Sequence, residues 1–181
     1  MTSTPPVRMH ATAAGSPRSL LVAAVAILVA VAAGCEREPR PIEPPEIAYG
    51  EDVCDRCGMI ISEERYAAGM MVEDEDGRAY RLFDDVAGLV LYEGEQPDVR
   101  VLGRWVKDYV TRRWLTADSA AYVEAGSLET PMAFGIVATA RARADSLAGA
   151  LDGRVLDWGE LTAMADTGGI RSTPGRSGGH R

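Results

Sequence analysis

The chain has 181 residues, with 27 acidic and 19 basic side chains and a formal net charge of −8. Such an acidic surface argues against binding nucleic acid, and against binding anionic lipid by charge alone. With three cysteines, two histidines and no glycine-rich phosphate loop, the composition also leaves no Ser-His-Asp arrangement to assemble, which favours a binding or delivery protein over an enzyme.

Residues 1–34 read as a bacterial lipoprotein signal peptide. Arg8 and Arg18 precede an apolar run from Ser19 to Ala33, which is shorter than the roughly twenty apolar residues of a comfortable membrane span. The run ends in Ala32-Ala33-Gly34-Cys35, small residues before a cysteine. Cleavage before Cys35 and acylation of its thiol would tether the mature chain to a membrane, facing the periplasm or the cell exterior. The loss of Arg8 and Arg18 would leave 17 basic against 27 acidic residues.

Residues 35–50 are rich in proline and charge, with too few apolar side chains to pack. They are expected to form an extended tether of about 3.1 Å per residue. Residues 166–181, mostly glycine, serine and arginine, are expected to be disordered.

Between these ends lie two tandem units, 51–109 and 110–165. In the first, Tyr66 to Val72 and Arg78 to Phe83 read as a hairpin across an acidic turn closed by Gly77. Asp84 is expected to cap a helix over Asp85 to Tyr92 that stops at Gly94, and Val99 to Tyr109 reads as a third strand. The second unit has short strands at Trp114-Leu115 and Ala121 to Glu124, and another over Ala133 to Ala138. A helix from Arg141 to Leu151, a closing strand from Arg154 to Trp158 and a cover helix from Gly159 to Ala165 follow. The expected fold class is α+β, two ββαβ units, the competing arrangement being one α+β domain with a continuous sheet.

The chemistry concentrates at Cys54-Asp55-Arg56-Cys57-Gly58-Met59, which gathers two thiols and a thioether within six residues. Soft sulfur donors select Cu(I) over harder ions. Three competing readings stand beside it: a structural disulfide, since exported thiols oxidise; a thioredoxin-like dithiol in a membrane-tethered thiol-disulfide oxidoreductase; and half of a zinc site. The dithiol reading wants the first cysteine at a helix N-terminus, and Gly58-Met59-Ile60-Ile61 makes a poor first turn. Closed zinc sites are four-coordinate, but no second cysteine pair exists, His10 lies in the signal and His180 in the tail. Attached haem would need a histidine where Gly58 stands.

Met132 follows Thr130-Pro131, a rigid loop entrance that can aim the side chain outward, whereas Met70, Met71 and Met164 read as core. At most one of Met70 and Met71 is expected on the core face. Asp84-Asp85 could form a metal-ligating carboxylate pair, yet N-capping explains Asp84 in full, while Asp108, Tyr109, Trp105, Trp114 and Trp158 read as strand residues supplying core area.

These motifs together resemble the NosL family of accessory lipoproteins of nitrous-oxide reductase maturation. The likeness runs from Cys35 through the C-x-x-C-G-M run, Arg65-Tyr66-Ala67-Ala68, Leu82-Phe83-Asp84-Asp85, Trp105 to Tyr109, Trp114-Leu115, Ala121-Tyr122-Val123 and Thr130-Pro131-Met132. The resemblance implies two similar ββαβ units and a membrane-tethered protein that binds one Cu(I). It also implies passage of that ion towards the copper centre of nitrous-oxide reductase, together with a membrane transporter complex. By position it implies Cys54, Cys57, Met59 and Met132 as ligands. Some members carry a histidine shortly after the T-P-M motif; this chain has none there, so its set would be sulfur only.

Overall fold

The computed structural model describes residues 40–171; the signal peptide, Cys35 and the last ten residues lie outside them. Among these described residues, seven strands form two antiparallel sheets. The first has the order β2-β1-β3-β4, from β1 (Ala68–Asp74), β2 (Gly77–Phe83), β3 (Arg100–Lys107) and β4 (Trp114–Thr116). The second has the order β6-β5-β7, from β5 (Ala120–Glu124), β6 (Ile136–Ala140) and β7 (Arg154–Leu156). Three α-helices complete the fold among the described residues: α1 (Val86–Glu95) between β2 and β3, α2 (Ala144–Leu151) between β6 and β7, and α3 (Trp158–Asp166) after β7.

One core serves both sheets. Met70, Val72, Phe83 and Val106 of the first sheet pack with Val86, Leu89 and Val90 of α1, with Tyr122, Ile136, Ala138 and Leu156 of the second sheet, and with Leu161 of α3. Each such aliphatic or aromatic side chain withdrawn from water contributes about 1.5–3 kcal/mol. Beneath α2 a smaller cluster joins Val123, Val137 and Ala148.

Several expectations shift. Trp114–Thr116 pairs with β3 and so completes the first sheet instead of opening the second. α1 runs on past Gly94 to Glu95, and Pro97, which disfavours helix at the residue before it, follows directly. α3 starts at Trp158 because Asp157 and Glu160 form a reciprocal capping box.

Met70 alone of the adjacent pair faces the shared core, as expected, yet Met71 is fully buried as well. β1 is an inner strand with both faces covered. Met70 belongs to the shared core. On the other face, where Gly69 and Met71 lie, the segment read as a free tether crosses the sheet. Tyr80 Oη donates to the Glu43 carbonyl at 3.0 Å, and the Arg78 guanidinium donates to the Arg40 carbonyl at 2.8 Å. Pro45 sits so close over Gly69 that a Cβ there would meet its ring at 2.6 Å. At the other end Asp166 closes α3 and Ile170 is buried in the core, so order extends past the expected boundary.

Asp108, expected to supply ordinary core area, is instead a fully buried clasp between the sheets. Its carboxylate accepts from the backbone of Val110, Thr111 and Ala140 and from the Arg143 guanidinium at 2.8–2.9 Å. Burial works to raise this carboxyl, but the N–H groups of Thr111, Ala140 and Val110 and the charge of Arg143 outweigh it and hold it at about 2.

Candidate metal centre

The thiols sit on a short ribbon laid against the end of the first sheet. Val53 bridges Ile60 in antiparallel register, and Cys54 N–H donates to the Met59 carbonyl at 2.8 Å. That register sets Met59 opposite Cys54 along the ribbon, Cys54 buried and Met59 exposed. The connecting turn closes with Gly58 N–H donating to the Cys54 carbonyl at 2.9 Å. Gly58 has φ +75°, a conformation that only glycine adopts readily.

The two residues between the cysteines anchor the turn. Asp55 and Leu82 bond in both directions: Asp55 N–H donates to the Leu82 carbonyl at 2.8 Å, and Leu82 N–H donates to Asp55 Oδ2 at 2.6 Å. This occupies the open edge of β2. Arg56 reaches across to Glu95 at the end of α1, 2.8 Å away. In β3, Lys107 Nζ lies 2.8 Å from Glu64 Oε1 and 4.4 Å from the centre of the Trp114 ring.

Among the described residues, the ligand atoms of Cys54, Cys57 and Asp84 all lie within 4.8 Å of one another. Both cysteines are free thiols. Cys57 Sγ is 3.9 Å from each Asp84 carboxylate oxygen. Cys54 is 2 % exposed and Cys57 partly exposed. Burial pushes the Cys54 thiol up to about 12, against the lowering effect of the Cys57, Asp84 and Arg56 backbone groups. A cation held between the sulfurs would supply the charge that burial removes.

Asp84 corrects the sequence reading. The helix cap is Asp85, whose Oδ1 accepts Gly88 N–H at 2.7 Å, and this releases Asp84 to face the thiols. Both residues are aspartate, so the capping pattern could not choose between them. The adjacent carboxylate pair was itself the signal that one side chain could be spare.

Of the two methionines, Met59 is 44 % exposed, flanked by Ile60 at 56 % and near Val53 at 50 %. Met132 is partly buried in the β5–β6 loop, where its N–H donates to Asp85 Oδ2 at 3.3 Å. Its backbone is thereby bound to the neighbour of Asp84. A groove of about 540 Å³ is lined by Thr130 and Pro131 with Glu63, Tyr66 and Leu128, but by none of the cluster residues.

A protein-family model described as NosL matches residues 46–165. Among solved structures, the crystal structure of the copper chaperone NosL from Shewanella denitrificans shares 19 % identity at a TM-score of 0.58. It is covered over 98 % of its own length and 68 % of this chain. No curated protein matches.

Proposed function

The chain belongs to the NosL family, and from that premise we propose that it is a Cu(I)-binding delivery protein that holds one ion between Cys54 and Cys57. It would hand the ion on for assembly of the nitrous-oxide reductase copper centre, with that enzyme and its maturation transporter complex as partners. The observation that carries the reading is the convergence of two thiols and the Asp84 carboxylate within 4.8 Å. Thiolates favour monovalent copper over harder ions, and the solved relative from Shewanella denitrificans is a copper chaperone. Met59, opposite Cys54, and Met132, bound to Asp85, are the thioethers we assign to complete the site.

Delivery then proceeds by ligand exchange. Two thiolates bind Cu(I) tightly, whereas a thioether yields to an incoming ligand, so the methionine side is where the ion leaves. Binding consumes thiolate, so affinity falls as pH drops. Lipidation of Cys35 would hold the domain at a membrane on the periplasmic or exterior side; among the described residues no helix is long and apolar enough to cross one. We also read the two sheets as copies of one ββαβ unit, since in each the first strand lies between the second and third.

Thiol-disulfide exchange, the competing activity, depends on a thiolate of lowered pKa. Cys54 is shifted the other way and is buried. Titration of the mature chain with Cu(I) against a chromophoric chelator is expected to show one tight site, absent from a Cys54→Ser/Cys57→Ser chain. An unchanged chelator spectrum would refute the proposal, and turnover in an insulin-reduction assay would favour the oxidoreductase.

A further inference from the structure

Asp84 and Asp85 lie between the two sulfur-bearing segments, Asp84 facing Cys57 and Asp85 bonding the Met132 backbone. The Asp85 side chain is fully buried and its two oxygens serve different parts of the fold. Oδ1 caps α1 by accepting Gly88 N–H at 2.7 Å, and Oδ2 accepts Met132 N–H at 3.3 Å, 47 residues along the chain. Serine or asparagine caps a helix as well as aspartate, and a buried carboxylate is costly. Capping therefore does not account for the second oxygen.

The loop itself is built to need that oxygen. Thr130 satisfies its neighbours: its carbonyl accepts Ala133 N–H, and its hydroxyl accepts the N–H groups of Phe134 and Gly135. Met132 N–H is directed instead to Asp85, whose preceding residue, Asp84, faces Cys57. We infer that Asp85 is a positioning residue for the metal site, setting the Thr130–Gly135 loop in register with the thiol pair so that the Met132 thioether completes the site. The inference rests on the copper reading.

The test is a double-mutant cycle in the mature protein. Asparagine at 85 keeps a cap acceptor but turns an amide towards Met132 N–H. Asp85→Asn is expected to weaken Cu(I) binding on the order of tenfold in chelator competition, as losses next to metal ligands do. In a Met132→Leu background the same change is expected to have almost no effect. X-ray absorption of the loaded Asp85→Asn chain should show one sulfur fewer around copper. In the metal-free protein the Met132 amide should exchange faster while the Cys54–Gly58 amides do not change.

An equal loss in both backgrounds would mean that Asp85 acts through the fold in general and would overturn the inference. So would an Asp85→Asn chain with wild-type affinity. A wild-type chain that takes up no Cu(I) removes the copper reading itself, a distinct result. Should Asp85→Asn fail to fold, Asp85→Ser keeps the cap, is too short to reach Met132, and takes its place under the same outcomes.

Discussion

The Cys54–Met59 turn and the Thr130–Gly135 loop both reach the N-terminal end of α1, at Asp84 and Asp85, yet they are secured very differently. The first is fixed at every residue between its thiols: Asp55 pairs twice with Leu82, Arg56 reaches Glu95 and Gly58 closes on Cys54. The second is shaped internally by Thr130 and reaches the site through the bond from Met132 to Asp85. A firmly anchored thiol turn beside a loop joined by one backbone bond would suit the proposed capture and release of a metal.

Replacing both thiols tests the strong side. Cys54→Ser/Cys57→Ser is expected to lower Cu(I) affinity by at least about a thousandfold, since hydroxyls are hard donors, and chelator competition reads it. Next comes the clasp that seats the second loop's sheet on the first. Asp108→Ala strands the Arg143 charge and three backbone donors and is expected to cost about 3 kcal/mol in urea unfolding.

The pH dependence of that clasp has a definite sign. A carboxyl held at about 2 when folded, against an ordinary 3.8, adds stability above pH 4 that disappears as pH falls towards 2. The loss amounts to about 2 kcal/mol at 1.36 kcal/mol per pKa unit. Asp108→Asn should flatten the stability profile over that window, as measured by denaturant melts at pH 2 to 5.

Asp84→Asn keeps the shape beside Cys57 but removes the charge, and is expected to weaken Cu(I) about ten- to a hundredfold in the same competition. The smallest effect belongs to Arg56→Ala. Its ion pair with Glu95 is partly exposed, so it should contribute at most about 1 kcal/mol. A larger loss of metal affinity from Arg56→Ala than from Met132→Leu would invert the contrast between the two loops.

The alternation of β1 and β2, the helix after Asp85 and the sulfur motif were legible in the chain because each is local. What escaped depends on distant partners. Trp114–Thr116 looks the same whichever sheet it joins, and only the β3 edge decides. Pro45 and Ile47 look like tether until Gly69 leaves room for the proline ring and the shared core takes the isoleucine. Asp108 gives no sign in sequence that Ala140 and Arg143 will converge on it. Asp84 was mistaken by one position, and that one position separates a helix cap from a candidate ligand.

The unequal burial of the two thiols has a final consequence. Cys54 is sealed beneath the ribbon while Cys57 stands at its rim. On the proposed copper reading, an acceptor from solution would reach Met59 and Cys57 before Cys54, so the sulfur at 54 would be the last to release the ion. The fold would thus impose an order on the exchange.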